Sequence, residues 1–539
     1  MTGNVRSTPR AVRMAMPLAR EVVDQLAISL GVCIRPVPMR CVDNAKGTAR
    51  VVDIPCGATL ESKCPPCAKR NLQLRKAQCR EGWHLDHEPV IPASEPTDEQ
   101  RYLVELRAQL QALRDQADQD GEDLAPWDDA LAEVDADLRR SGLRGSVLGR
   151  TSTGRRRSTR RRQDAPDLPK RKKVSSTLGR VYESPDGQRF RPSMFITLTL
   201  PSYGRILDGA PLDPTAYDYR RAARDALHFS KLVDRFVQNL RRVAGWDVQY
   251  FATVEPQKRL APHLHLAMRG TLSRAEIKQI AAATYHQVWW PQADRVVFDG
   301  ETLPVWEDEV GYLDPRTGEV LPTWDQALDA LTDEDAEPLH VLTFGDQVDA
   351  KGVLAGTPNA DQVIRYLSKY LTKSIAETCD LDNPRQRDHA DRMADALRYE
   401  PCSPTCPNWL RYGVQPKGAK PGQAPGQCRG KGHKPEHLGY PGRRVLVSRK
   451  WSNKTLTEHR ADRRAWVLET LGLSATAGID PNRYTWRPIP PGDPDLPPLG
   501  QRLLVEIANR QRWRALLAEH QAQADDTDLS ATGERRRAA

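Results

Sequence analysis

Hydrophobic positions along the chain recur with two different periods, and the change between them marks the elements. Phe195 to Leu200 reads Phe-Ile-Thr-Leu-Thr-Leu, with apolar and polar residues in alternation, and 250–255 and 264–268 show the same period of two. A period of two belongs to half-buried strands. Between the first two strands the spacing lengthens: Leu227, Leu232, Phe236 and Leu240 recur as on one face of a helix, predicted over 219–243. Ser273 with Glu276 forms a capping box ahead of a helix expected to reach about residue 289. A further helix is predicted over 361–374, with Val363, Ile364, Leu367 and Leu371 on its apolar stripe. Strand, helix, strand, strand, helix is an α+β order, and it places one domain at about 190–380. Residues 300–350, acidic and broken by Pro and Gly, are read as an insertion into it.

The flanks differ in composition. Residues 1–95 are rich in cysteine and turns, with a helix predicted over 65–78 from Ala68, Leu72 and Leu74. Residues 97–139 hold thirteen acids against four bases, with Leu103, Leu106, Leu110 and Leu113 and then Trp127, Leu131, Val134 and Leu138 at helical spacing. An acidic helical hairpin is the expectation. The sign inverts over 151–175, where ten bases face two acids among Ser, Thr and Pro, as in a disordered basic linker. Hairpin and linker together make a segment at 96–189. A second cysteine-rich module with a basic stretch follows at 381–460, and a tail at 461–539 carries a helix near 503–518.

Charge changes the picture more than size does. Lys and Arg total 80 against 71 Asp and Glu in 539 residues, a net +9 with a pI near 9.0, which favours an acidic partner, nucleic acid first. No run approaches the roughly 18 apolar residues of a membrane span. No secretory signal is read at the N-terminus. A cytoplasmic location without membrane attachment is the expectation.

Two short motifs carry catalytic chemistry. Pro262-His263-Leu264-His265-Leu266 lies on a predicted strand, so both imidazoles project from one face while the leucines enter the core behind. Two convergent neutral imidazoles suit a divalent metal. Glu255, at the end of the preceding strand, is either a third ligand or a solvated strand end. About a hundred residues later, Tyr366, Lys369, Tyr370 and Lys373 fall on the predicted helix, where residues four apart share a face. A phenol acts as a nucleophile only when a cation or base favours its phenolate, and either lysine can serve.

The ten cysteines fall into two clusters with Cys379 alone between them, a distribution that suggests metal rather than disulfides. Cys64-Pro65-Pro66-Cys67, with Cys56 eight residues before and Cys79 twelve after, can gather four thiolates around a tetrahedral zinc. Cys33, Cys41, His84 and His87 leave room for a different fourth ligand or a second ion. In the C-terminal cluster Cys402, Cys406 and Cys428 would be completed by His433 or His437, with His433 taken as the ligand. Arg443, Arg444, Arg449 and Lys450, beside Trp451, combine phosphate-binding cations with an aromatic, a composition suited to single-stranded DNA.

In order and rough spacing, Phe195 to Pro201, Pro262 to Leu266 and Tyr366 to Lys369 resemble the three motifs of the HUH endonucleases. The likeness is specifically to the rolling-circle replication initiators of actinobacterial plasmids and integrative conjugative elements. The segments 56–84, 402–409 and 443–451 are similar to that subgroup too. The resemblance implies a ferredoxin-like antiparallel sheet with helices on one face and the active site on the other, flanked by N- and C-terminal zinc modules. It further implies Mg²⁺ or Mn²⁺ on His263 and His265, attack by Tyr366 or Tyr370 on one strand of a double-strand origin, a 5′-phosphotyrosine link and a free 3′-hydroxyl primer. Host helicase and polymerase would be partners. Conjugative relaxases and single-strand transposases share this chemistry and remain alternatives, as does a zinc-dependent DNA-binding regulator without catalysis.

Overall fold

The computed structural model describes the chain outside residues 1–17, 86, 90–94, 144–166, 180, 184, 188, 333–335, 370, 373–382, 471–482 and 538–539. The chain divides into two compact units, one formed by 1–89 with 163–539 and the other by 90–162. The first unit begins with α1 (Ala19–Leu30), β1 (Val37–Asp43), β2 (Thr48–Ile54) and α2 (Pro65–Trp83); α3 (Asp98–Asp120) and α4 (Ala125–Arg140) form the second. The first unit resumes with β3 (Pro192–Leu198), α5 (Tyr219–Ala244), β4 (Tyr250–Pro256), β5 (Pro262–Arg269), α6 (Arg274–Ala282) and β6 (Tyr285–Val288). Then come β7 (His340–Thr343), β8 (Val348–Leu354), α7 (Pro358–Ser368), α8 (Pro384–Tyr399), β9 (Val445–Val447), α9 (Leu456–Thr470), β10 (Tyr484–Pro488) and α10 (Leu499–Arg537).

The site is built on a five-stranded sheet of order β8-β3-β5-β4-β9 in which every neighbouring pair is antiparallel. Taken along the chain, β3, α5, β4, β5, α6 and β8 are a β-α-β-β-α-β unit with its first and third strands central, the split β-α-β arrangement. Alternation sorts the side chains. Ile196, Leu198, Val254, Leu264 and Leu266 enter the main core with α5 and α6. The neighbours of these residues, among them Phe195, Phe251 and Ala267, face the other way, where α2, α7 and Trp451 cover part of the sheet. Leu227, Leu232, Phe236 and Leu240 of α5 are at most 4% exposed, as the helical spacing required. Asp218 caps α5 by accepting from Arg221 N, and Gly245, at φ 76°, ends it.

Several expectations need correction. The helix capped by Ser273 stops at Ala282 rather than about 289. Thr284 turns its hydroxyl to the Ile280 carbonyl and accepts from Asn239, and Tyr285–Val288 pairs with β7 as a strand. Val348–Leu354, partly assigned to the insertion, is the edge strand β8 on β3. The basic linker was expected to be disordered through 175. Residues 144–166 lie outside the described residues, but Arg171 donates from its backbone N to Arg242 O and Val174 N donates to Gly245 O, so this stretch lies along the end of α5. The C-terminal tail does not stand apart: β10 pairs with β1, and Leu503 and Ile507 of α10 are buried against Ala27 and Val32.

The second unit is the acidic hairpin. Thr97 and Gln100 form a capping box, Gly121 at φ 71° closes α3, and Leu103, Val134 and Leu138 are buried between the helices. Gln100 Nε2 reaches Ser141 O at one end and Arg114 Nε reaches Asp128 Oδ1 at the other, so the helices run antiparallel.

Candidate functional site

β5 is the middle strand, and its register decides what surrounds the histidines. His265 lies between Thr197 of β3 and Thr253 of β4, and Glu255 lies directly opposite His263. Glu255 Oε2 is 3.9 Å from His263 Nε2 and 3.6 Å from His265 Nε2. One donor atom from each of the three residues falls within 4.8 Å of the others. Glu255 therefore faces the histidines instead of ending in solvent, at 4% exposure. Burial, and after it the neighbouring His263, push His265 down to about 3, which keeps its imidazole neutral. Thr197 Oγ1 lies 2.9 Å from His265 Nδ1. With Nδ1–H donated to that hydroxyl, the Nε2 lone pair points at Glu255. Glu255 Oε1, His263 Nδ1 and Thr253 Oγ1 are buried without a hydrogen-bond partner among the described residues. Orphaned buried polar atoms cost about 1–3 kcal/mol each, a cost that a bound cation with its water relieves. The donor set fits a divalent ion.

The apolar stripe of α7 sets the position of the tyrosine. Ala360, Ile364 and Leu367 pack with Phe251, Val353, Trp83 and Trp451, which turns Tyr366 over the histidine face. Tyr366 Oη is 3.4 Å from His265 Nε2, and the two rings are 5.1 Å apart. Phe195 stacks on His265 at 5.6 Å and meets Tyr366 edge-on at 5.9 Å. Tyr366 as a whole residue keeps 44% exposure, so part of its ring stays at the surface beside the histidine face. Lys369 caps α7 and is exposed; Tyr370 and Lys373 lie outside the described residues. Helix α2 braces α7: Arg80 Nη2 is 2.7 Å from Asp361, His84 Nδ1 accepts from Gly356 N at 2.8 Å, and Glu61 N donates to Thr372 O at 2.8 Å.

Two further groups can hold metal. Cys33, Cys56, Cys64 and Cys67 form one, and Cys402, Cys406, Cys428 and His433 the other. A zinc tetrahedron with bonds of about 2.3 Å has sulfur–sulfur edges of about 3.8 Å. Cys33 Sγ to Cys64 Sγ and Cys402 Sγ to Cys428 Sγ are both 3.8 Å. His433 Nε2 is 3.6 Å from Cys406 Sγ, and its Nδ1 is held by the Leu397 carbonyl at 2.9 Å, which aims the ring. His437 is not in the group. Nor is Cys79, a correction with a simple cause: twelve residues beyond Cys67 on a continuous helix is about 18 Å along the axis. Cys79 is buried against Trp83 and Trp451 instead. Cys33, which the Cys-x-x-Cys spacing did not single out, takes the fourth place from the turn after α1. Cys41 is buried on β1, away from both groups.

The basic segment divides. Arg443 and Arg449 are exposed, whereas Arg444 Nε donates to Val254 O and Lys450 Nζ is 3.4 Å from Asp247. Trp451 is fully buried, its indole N–H bonded to Cys79 O, and so cannot stack on a base. Sequence reasoning also passed over Thr197 and Thr253. Their shared parity with Phe195 and Glu255 was the available signal, but only the register shows that they flank His265.

No helix among the described residues is long and apolar enough to cross a membrane. A replication initiator protein of Streptomyces ambofaciens is 26% identical over 245 residues, which cover 39% of this chain and 50% of that protein. The chain thus spans about half the length of that relative. No solved structure matches. The family described as replication initiator protein, pSAM2, matches residues 19–509, a span holding the sheet, the tyrosine helix and both cysteine groups. By that extent of match, the chain belongs to the pSAM2 replication initiator family.

Proposed function

We propose that the chain starts rolling-circle replication by nicking one strand at a double-strand origin, as an HUH-type tyrosine endonuclease on a ferredoxin-like sheet. The observation that carries this reading is the approach of Tyr366 Oη to within 3.4 Å of His265 Nε2, in the group that also holds Glu255 and His263. A tyrosine alone is unremarkable on a helix; one placed against a buried carboxylate and two imidazoles can meet a phosphodiester bound there.

Tyr366 Oη gives up its proton to solvent and attacks the phosphorus, an O–P bond to the phenol forms, and the bond to the 3′ oxygen breaks. That oxygen takes up a proton and leaves as a 3′-hydroxyl primer, with the 5′ phosphate on the enzyme. A divalent ion on Glu255, His263 and His265 would polarise the scissile phosphate, and the two imidazole nitrogens favour Mn²⁺ over Mg²⁺, which prefers oxygen donors. Phe195 holds the planes of His265 and Tyr366, Thr197 fixes the tautomer of His265, and Lys369 offers a cation on the same helical face as the phenol. Tyr370, four residues on in the sequence, is the candidate second nucleophile that would reverse the link. The cysteine groups hold structural zinc, and the chain acts in the cytoplasm with host helicase and polymerase.

The test is incubation of the full chain with a randomised single-stranded oligonucleotide pool and Mn²⁺, followed by mass spectrometry of the covalent product. A 5′-phosphotyrosine on Tyr366, lost in Tyr366→Phe, is the expected result. No adduct, or one carried by a residue away from α7, would refute it.

A further inference from the structure

The surface where α2, α9 and α10 meet carries guanidinium groups that the nicking centre does not use. Arg70, Arg460, Arg463, Arg510 and Arg514 are exposed there, and Arg75 is half-buried. Apart from Arg70 Nη2, which donates to Cys67 Sγ at 3.6 Å, their hydrogen bonds go to neutral oxygen acceptors. Arg510 Nε and Arg514 Nη2 donate to Leu30 O at 3.4 and 3.0 Å, and Arg460 Nη2 donates to Asn71 Oδ1 at 3.2 Å. Arg70 Nε donates to Pro66 O and Arg75 Nη1 to Gln78 Oε1. Two nearby acids are otherwise engaged: Asp462 lies 3.0 Å from Lys454, and Asp53 pairs with Arg502. Glu506 lines a cleft of about 240 Å³ together with Arg70, Arg510 and Trp513.

The guanidinium groups are close enough to act on one another. Burial, and then Arg514, Arg70 and Arg463, pull Arg510 below its ordinary value; burial, and then Arg443 and Arg460, do the same to Arg75. Like charges gathered on one face repel, and the cost is removed when a polyanion neutralises them. Trp466 and Trp513, 55% and 49% exposed, add large apolar surface to the same helices.

We propose that this face binds the phosphate backbone of duplex DNA beside the nick, which rests on the reading of the chain as a nicking initiator. Double helix is favoured over single strand by rigidity. The arginines are anchored at fixed points on three helices by main-chain and amide oxygens, an array suited to the fixed phosphate rows of a duplex. A flexible single strand is gripped mainly by stacking, and here guanidiniums outnumber the exposed indoles.

Counterion release makes the assignment measurable. Each phosphate contact contributes about −0.9 to the slope of log affinity against log salt. The full chain, without added Mn²⁺, is titrated into a random-sequence duplex of about 30 base pairs by fluorescence anisotropy between about 50 and 200 mM salt. The triple variant Arg460→Gln, Arg463→Gln, Arg510→Gln is expected to flatten the slope by about 2.7, and its Lys counterpart to keep the wild-type slope. Duplex affinity should fall at least about tenfold more than affinity for a single strand of the same length. A wild-type slope in the Gln variant, or equal losses on both polymers, overturns the proposal. Failure of the nicking reading shows separately, because the adduct assay alone reports it and salt dependence is read without cleavage.

Discussion

Replacing Thr197 with Val tests the metal centre at a residue that neither binds an ion nor reacts. The change keeps the shape of the side chain and removes the acceptor 2.9 Å from His265 Nδ1. His265 is 2% exposed, so water does not supply a substitute freely. A buried N–H without an acceptor costs about 1–3 kcal/mol. The ring avoids that cost by moving its proton to Nε2, where Tyr366 Oη at 3.4 Å can accept it in a hydrogen bond and the Glu255 carboxylate lies near, but this tautomer has no Nε2 lone pair for a cation. Ion binding must then reverse the tautomer, so the cost appears as lost affinity. Losses from removing the hydrogen-bond partner of a metal-binding imidazole are about 10–100-fold, or about 1.4–2.7 kcal/mol, within the range of the hydrogen-bond cost. The assay is titration of the zinc-loaded full chain with Mn²⁺, the free ion being followed by electron paramagnetic resonance. Thr197→Val should bind about 10–100-fold more weakly and Thr197→Ser within about threefold of wild type. Wild-type affinity in the Val variant would show that the hydroxyl does not orient the ligand.

Other consequences are equally direct. Cys33→Ser should lower bound zinc from two ions per chain to one, whereas Cys79→Ala should keep both and cost about 1 kcal/mol of packing, read by metal analysis and thermal melting. Gly82→Ala would place its Cβ 2.2 Å from Trp451 Cδ1, and since both residues are buried it should lower stability by about 1–3 kcal/mol; an unchanged Tm would argue against the packing of α2 on the sheet. Glu88 accepts from Ser176 Oγ, from the backbone N–H and hydroxyl of Thr177 and from Leu178 N. Burial raises its pKa, but these donors outweigh burial and hold it below the usual carboxylate range. Its stabilisation is thus present above the unfolded value and lost as pH falls through the folded one. Glu88→Gln should lower Tm near neutrality, with the gap to wild type closing in acid; a gap independent of pH would exclude the carboxylate as its source.

Much of the central domain was legible because its patterns are local. The strands through Phe195, Phe251 and Leu266 each show a period of two, and α5 shows a clear helical stripe. Where short segments are ambiguous, the reading failed: Tyr285–Val288 could extend a capped helix until its partner β7, over fifty residues on, claimed it as a strand. The same limit hid β8, whose partner lies some 150 residues earlier.

The candidate sites divide along the same line. Residues close in sequence with a fixed period, such as His263 with His265 or Cys64 with Cys67, were determined by the chain itself, since backbone geometry alone sets their separation. Whatever depended on register or on the meeting of distant segments was decided only by the fold. Pairing of β4 with β5 brought Glu255 opposite His263, packing of α7 on Phe251 brought Tyr366 to His265, and the turn after α1 set Cys33 where helix geometry forbids Cys79. Local periodicity specifies which face a side chain takes; burial of the whole apolar surface chooses which faces meet.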